Sequence, residues 1–187
     1  MTITANIAAL EPSHRLRLLN RYRAAEIHSV ATIMRMARLA DSASLRADLS
    51  RQMRDEAAHA WLWTKVITEE SDGSIIEVNM PYQQRLGLHY GIPRTLTELL
   101  ALAWVSRRHG IVEYTEHLHA PDASARIQRM LGGIIRDENR HVGCIYHELQ
   151  RRLREDRHVQ HIIDRALAAD QQSAADLTAF TQPDDVP

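Results

Sequence analysis

Cysteine, glycine, proline and phenylalanine are all scarce in this chain of 187 residues. The single cysteine, Cys144, excludes a disulfide within the chain and any metal site built from several thiolates. One Phe, seven Gly and six Pro leave few residues that favour strands or turns, whereas Ala, Leu and Arg are abundant. This composition favours helices over sheets.

An excess of one charge and long apolar runs are missing as well. The formal net charge is -1, so no broad basic surface predicts a nucleic-acid partner. No stretch reaches the ~20 apolar residues of a membrane span. Residues 1–14 lack the basic and then apolar segments of a secretory signal. With one free cysteine, which fits a reducing compartment, the sequence predicts a cytoplasmic protein without a membrane partner.

Apolar residues recur at helical spacing along five segments. We predict helices over residues 12–39, 45–68, 95–119, 123–153 and 158–179, all in one domain spanning 1–187, with a frayed tail at 182–187. Residues 71–94 carry three Gly and two Pro and show no period. Such a connection is expected where two parallel helices are joined along the length of a bundle. The predicted fold is therefore all-α, with two helical hairpins joined by a long crossover and followed by a C-terminal helix.

Three glutamates stand where apolar residues are expected. Glu26, Glu56 and Glu138 each lie on the apolar face of a different predicted helix, with apolar residues one turn before and after. A buried carboxylate without a compensating charge costs several kcal/mol or becomes protonated. An arginine partner, or a position at the edge of the core, would explain any one of them. Three on three helices indicate a shared cation, which a pair of divalent metal ions would supply.

A repeated motif accompanies two of these glutamates. Residues 54–59 read R-D-E-A-A-H and residues 136–141 read R-D-E-N-R-H, which places His59 and His141 three residues after Glu56 and Glu138. At that spacing both side chains share a helix face and can bind one metal ion. Three further Glu-x-x-His matches in the chain lack the preceding Asp. The longer repeat is therefore more specific than the bare spacing.

With these motifs the chain resembles the ferritin-like di-iron carboxylate superfamily over about residues 13–153. That family has a Glu on the first helix, Glu-x-x-His on the second, a Glu on the third and Glu-x-x-His on the fourth. The resemblance implies a ferritin-like four-helix bundle that holds two iron ions, with manganese as the alternative, and reacts with O2. The implied metal-binding and catalytic residues are Glu26, Glu56, His59, Glu113, Glu138 and His141.

The third-helix ligand is open between Glu113 and Glu116. Glu113 matches the family position better, and Glu116 would be a second, mobile ligand as in rubrerythrin-like sites. Glu138 lies farther from the turn near Asp122 than Glu113 does. A break at Gly132–Gly133, or a short separate helix at 123–130, would absorb that difference.

Asp55 and Asp137, which precede the motif glutamates, have a predicted role as partners of the ligand histidines. In similar two-iron oxygenases each such Asp accepts a hydrogen bond from the His of the opposite motif. This predicts the pairs Asp55–His141 and Asp137–His59. Ordinary ion pairing at the surface is the alternative.

The resemblance implies an oxidoreductase, first of all a monooxygenase or related oxidase that acts on a small organic molecule. An external electron donor is expected, because nothing in the chain resembles a flavin, nicotinamide or iron–sulfur site. Tyr22, Trp63, His109 and residues 79–90 are candidates to line a substrate pocket, and ordinary core packing is the alternative for the aromatic residues. Residues 71–94 are either a lid or a plain crossover. The alternatives are a rubrerythrin-like peroxidase, a ferroxidase, and a non-enzymatic helical interaction module. A homodimer is an open alternative to a monomer.

Overall fold

The computed structural model describes residues 12–70, 74–121 and 123–180, and these residues form six helices with no strand among them. The prediction of an all-α protein is confirmed. The predicted tail at 182–187 lies outside the described residues. The helices are α1 (Pro12–Leu39), α2 (Ala43–Glu70), α3 (Pro81–Tyr90), α4 (Leu96–Leu118), α5 (Ala125–Glu155) and α6 (His158–Phe180).

Hydroxyl side chains set where three of the long helices begin. Ser42 Oγ accepts the Leu45 amide at 3.2 Å, so α2 begins two residues earlier than predicted. Thr95 and Glu98 form a capping box at the start of α4. Ser124 accepts the Ile127 amide at 3.2 Å and begins α5.

The connection between α2 and α4 contains a helix that the prediction missed. Pro81 occupies the first turn of α3, and Gly91, with a φ of 85°, ends it in a backbone conformation that suits glycine. Tyr82, Leu86 and Tyr90 form its buried face, one turn apart, and α3 packs on α6. The Tyr82 hydroxyl donates to Asp170 of α6 at 2.6 Å.

Contacts between consecutive long helices show that they run antiparallel. On α1 and α2, Arg23 donates to Thr64 at 3.0 Å and Glu26 faces His59, so one residue number falls as its partner's rises. The same holds for α4 and α5, where Arg107 meets Glu138 and Thr97 meets Arg152.

The two pairs pack against each other, α1 on α4 and α2 on α5. His59 of α2 faces Asp137 of α5, while Asp55, one turn earlier, faces Arg140. Helices α2 and α5 are thus antiparallel as well, so α2 and α4 run in the same direction. The segment between them therefore has to return along the length of the long helices.

Helix α5 continues through Gly132 and Gly133 without interruption. Neither the expected break at these glycines nor a separate helix at 123–130 is present.

Two apolar clusters fill the interior at opposite ends of the long helices. One includes Ile33, Leu49, Leu100 and Leu149, and α6 also packs on it. The other includes Leu19, Trp63, Tyr114, Ile127 and Leu131. A layer of buried polar side chains lies between them. Among the described residues, none of the helices is both long and apolar enough to cross a membrane.

Candidate metal centre

The polar layer is built from the motif residues of three helices. Glu26 comes from α1, Glu56 and His59 from α2, and Glu138 and His141 from α5, and all five side chains are buried. The structure thus brings together five of the six residues expected as ligands. They share one level because each lies on the buried face of its helix and the helices pack side by side.

Four of these residues offer donor atoms around one point. One donor atom each from Glu26, Glu56, His59 and Glu138 lies within 4.8 Å of all the others. Two ligands about 2.1 Å from a single ion are at most about 4.2 Å apart. A small inward adjustment would therefore place all four around one ion.

Several of the atoms that face this point are unsatisfied. Glu56 Oε2, His59 Nδ1 and Glu138 Oε1 are buried and have no hydrogen-bond partner among the described residues. His59 Nδ1 lies 3.7 Å from Glu26 Oε2 and 3.6 Å from Glu138 Oε1, too far for good hydrogen bonds. Orphaned buried acceptors are rare without a water or an ion, so the donor set fits a bound cation.

Arg107 of α4 occupies the other side of the cluster. Its buried guanidinium donates from Nη1 to Glu56 Oε1 at 2.5 Å and to Glu138 Oε2 at 2.6 Å. The same nitrogen lies 3.3 Å from His141 Nδ1. Each of the two carboxylates therefore gives one oxygen to Arg107 and keeps the other unpaired.

The charges of these groups are strongly shifted by their surroundings. Burial raises the pKa of Glu26 to about 8. Burial also raises the pKa of Glu56 and Glu138, but the Arg107 charge together with hydrogen bonds from the neighbouring histidines outweighs it, and both pKa values lie below the usual one. Burial disfavours the charged form of His59, yet the facing Glu138 and Glu26 carboxylates raise its pKa to about 11.

His141 behaves like His59. Burial opposes its protonation, but the carboxylates of Glu138 and Glu56 raise its pKa to about 9. His141 Nδ1 lies 3.0 Å from Glu56 Oε1 and 3.5 Å from Glu138 Oε1. Without a metal ion, protonated histidines and Arg107 thus balance the buried acids.

Asp55 and Asp137 lie beside the histidines in the crossed arrangement expected from the sequence. His59 Nε2 is 3.3 Å from Asp137 Oδ2, and His141 Nε2 is 3.4 Å from Asp55 Oδ2. Arg140 donates to Asp55 at 2.6 Å and pairs with Asp137 at 2.9 Å. Each imidazole therefore turns its Nε2 towards an aspartate and its Nδ1 towards the cluster.

Glu113, the expected third-helix ligand, lines the cavity that reaches the cluster but is not one of the four residues whose donor atoms converge. Its side chain is 47% exposed and faces His109 at 3.8 Å. Glu116 is exposed as well. The α4 side chains that reach the cluster are Arg107 and Tyr114, whose hydroxyl donates to Glu26 Oε1 at 2.5 Å.

The sequence contained a signal for Arg107. Glu138 and Arg107 lie at nearly equal distances along the chain from the turn near Asp122, and α5 is uninterrupted. The residue of α4 at the level of Glu138 is therefore Arg107. It lies three helical turns before the end of α4, whereas Glu113 lies much closer to that end. Tyr114 lies two turns after Arg107 and gave no comparable signal.

An aromatic group packs against the Glu26 side of the cluster. The ring centroids of Tyr22 and Trp63 are 4.9 Å apart, as are those of Tyr22 and Tyr114. Trp63 is fully buried, and its ring lies 5.9 Å from that of Tyr114. These rings separate the polar layer from the apolar cluster beyond them.

A cavity of about 100 Å³ reaches the cluster. Glu26, Glu56, Glu138 and Arg107 line it, as do Met80 to Gln83 at the start of α3, which fall within the predicted pocket segment. Tyr22 and His109 also line it, as expected, whereas Trp63 lies in the apolar cluster instead. At roughly 30 Å³ per water, the cavity has room for about three water molecules.

Comparison of the chain with protein-family models, with curated proteins and with solved structures found no match in any of the three. Function is therefore inferred from the residues of the site.

Proposed function

We propose that this chain is a ferritin-like non-haem metal oxidoreductase, which binds a redox-active metal ion, most readily iron, at the buried cluster and reacts there with O2 or peroxide. The observation that carries the proposal is the set of unpaired donor atoms from Glu56, His59 and Glu138 that face one another inside the protein. The order hairpin, crossover, hairpin and the two R-D-E-x-x-H motifs support the ferritin-like assignment.

Each residue of the cluster has a distinct part in this proposal. Glu26, Glu56, His59 and Glu138 would hold the metal, and Asp137 would orient the His59 ring through Nε2. The bound metal would supply electron exchange with the oxidant. Tyr114 holds a proton on its hydroxyl, directed at Glu26 Oε1.

The enclosed part of the cavity beside the cluster is small. A volume of about 100 Å³ admits O2 or H2O2. It is smaller than the roughly 150 Å³ that accommodates benzene in a protein interior. Most drug-sized ligands occupy sites of about 300–1,000 Å³. This geometry favours a small oxidant as the molecule that occupies the cavity. A peroxidase is therefore the second candidate function.

A monooxygenase acting on a small organic substrate, as predicted from the sequence, requires more room beside Glu26. The part of the cavity wall that would have to move is the start of α3, where Met80, Pro81 and Tyr82 line one side of the cavity. Displacement of this segment would admit an organic molecule while the long helices stay fixed. In either reaction the electrons would come from an external donor.

The test compares oxidants on anaerobically iron-loaded, reduced protein. The proposal predicts rapid oxidation of the centre by O2 or H2O2, with steady turnover when a chemical reductant is supplied. Consumption of H2O2 without any organic molecule would assign a peroxidase. Slow peroxide turnover, with O2 uptake that rises when a small organic compound is added, would assign an oxygenase. A chain that retains no metal and whose melting is unchanged by Fe(II) would contradict both and leave a helical interaction module.

A further inference from the structure

The resemblance to the ferritin-like di-iron carboxylate superfamily implies two metal ions, but the cluster provides for only one of them. Helix α4 supplies no carboxylate to it, since Glu113 and Glu116 are both exposed. In their place α4 supplies the cation of Arg107. The residues therefore do not fit a two-iron centre as they stand.

The position of Arg107 matches that of the absent second ion. Its Nη1 contacts an oxygen of Glu56, an oxygen of Glu138 and Nδ1 of His141, which are the donors expected around one of two ions. In a two-metal site each bridging carboxylate gives one oxygen to each cation. Here Glu56 and Glu138 each give one oxygen to the guanidinium and leave the other without a hydrogen-bond partner, that of Glu138 lying 3.6 Å from His59 Nδ1 and 3.5 Å from His141 Nδ1.

The charges agree with this arrangement. Glu26, Glu56 and Glu138 carry three negative charges when they bind metal, and one divalent ion together with the Arg107 guanidinium balances them. A second divalent ion would leave two positive charges uncompensated in a buried site, which is strongly unfavourable. Arg107 also keeps its proton at any accessible pH, because an arginine cannot be deprotonated in a protein.

We infer that the Arg107 guanidinium stands in for the second metal ion, so that the centre binds a single divalent ion through Glu26, Glu56, His59 and Glu138. His141 then lies on the side of the cluster occupied by the Arg107 guanidinium and is not a metal ligand. This inference rests on the proposed function only in requiring that the cluster bind a metal. It changes the chemistry, because a single ion must pass electrons to the oxidant without a second metal to share them.

The test is the number of ions bound per chain. Purified metal-free protein is loaded anaerobically with excess Fe(II), desalted, and analysed for iron by mass spectrometry. Wild-type protein is expected to hold one ion. Arg107→Gln removes the charge and frees Glu56 Oε1, Glu138 Oε2 and His141 Nδ1, so it is expected to hold two. Arg107→Lys keeps a cation and is expected to hold one.

Arg108→Gln is the matched control. Arg108 is the next residue of α4, is exposed, and lies 4.7 Å above the Trp104 ring, so its loss should leave one ion per chain. Electron paramagnetic resonance with Mn(II) gives a second readout. Wild-type protein should give the spectrum of isolated ions, and Arg107→Gln that of a spin-coupled pair.

The outcomes separate this inference from the proposed function. Two ions in wild-type protein would overturn the inference and leave the metal site standing, even if Arg107→Gln did not fold. One ion in both wild-type and folded Arg107→Gln would also overturn it. No ion in wild-type protein would overturn the proposed function itself, and the inference with it.

Discussion

Asp137 and Asp55 make similar contacts to two histidines, His59 and His141. In the inferred single-ion centre only His59 is a metal ligand. Asp137 lies 3.3 Å from Nε2 of His59, and Asp55 lies 3.4 Å from Nε2 of His141. Aspartates that orient a ligand histidine typically contribute about 10–100-fold to metal affinity. Asp137→Asn is therefore expected to weaken Fe(II) binding by ~10–100-fold. The loss of Fe(II) affinity in Asp55→Asn is expected to be several times smaller.

Competition with a chelator of known affinity measures both variants. Equal losses in Asp137→Asn and Asp55→Asn would indicate that both histidines bind metal, which would contradict the single-ion centre. No loss in either variant would show that the two aspartates form ordinary ion pairs with Arg140.

Two glutamates on neighbouring helices provide a matched pair for the ligand assignment. Glu138 is buried with one oxygen unpaired, whereas Glu113 is half-exposed on α4. Glu138→Gln is expected to weaken metal binding by more than roughly 100-fold, since an amide oxygen is a poor substitute for a charged ligand. Glu113→Gln is expected to leave affinity within twofold. Isothermal titration with Mn(II) measures both, and a large loss in Glu113→Gln would restore the family's third-helix ligand.

At the scale of single residues, the sequence predicted the acids better than their partner. Glu26, Glu56 and Glu138 were recognisable because a carboxylate interrupts an apolar stripe, and the repeated motif added both histidines. Arg107 interrupts a stripe in the same way, but a long arginine side chain is common at the edge of a core. Only the packing of α4 on α5 shows that its guanidinium lies inside.

Among the helices, α3 forms one wall of the cavity that reaches the cluster. Tyr82 ties its first turn to α6 by the hydrogen bond to Asp170, and its ring stacks on His109 with centroids 3.8 Å apart. Tyr82→Phe removes the hydrogen bond and keeps the stack. The loss should destabilise the protein by about 1–2 kcal/mol and loosen the start of α3.

Two measurements follow that loosening. Amide hydrogen exchange over residues 81–90 should become faster, and a chelator should remove the metal several times faster than from wild-type protein. Tyr90→Phe is the control, because it makes the same chemical change on α3 but at a residue that does not line the cavity. Identical effects of the two variants would argue against α3 as the wall that opens.

Helix boundaries were predictable wherever the sequence contains recognisable capping residues, as at Thr95 and Glu98. Helix α3 was not, because its ten residues contain Gly87 and its buried face is too short to give a clear period. It is stabilised by packing on α6, which lies some eighty residues later in the chain. Tertiary contacts of that kind leave little trace in a local pattern.

For the whole molecule, the buried cluster predicts how stability depends on pH. The pKa of Glu26 is raised from 4.5 to about 8, that of His141 from 6.5 to about 9, and that of His59 from 6.5 to about 11. The folded chain thus holds these protons more tightly than the unfolded chain. Their stabilisation is present below the unfolded pKa values and is lost as the pH rises through the folded ones.

Metal-free protein is therefore expected to lose unfolding free energy steadily between pH 6 and 9, by up to roughly 3 kcal/mol for each of the three groups. Urea denaturation at a series of pH values measures it. The metal-loaded protein should lose less, because metal binding needs the deprotonated ligands and becomes tighter as the pH rises. A metal-free protein that gains stability over this range would contradict the assigned proton positions.

The burial of Trp63 has an optical consequence. Its indole is fully enclosed and lies one aromatic ring away from Glu26, through Tyr114, whereas Trp61 on the same helix is 60% exposed. An enclosed indole emits at shorter wavelength than one in water, so the emission of Trp63 lies to the blue of those of Trp61 and of the half-buried Trp104. Iron bound at the cluster should quench the blue component and leave the red one bright. The chain thus carries its own fluorescent reporter of metal loading, readable in real time and without a label.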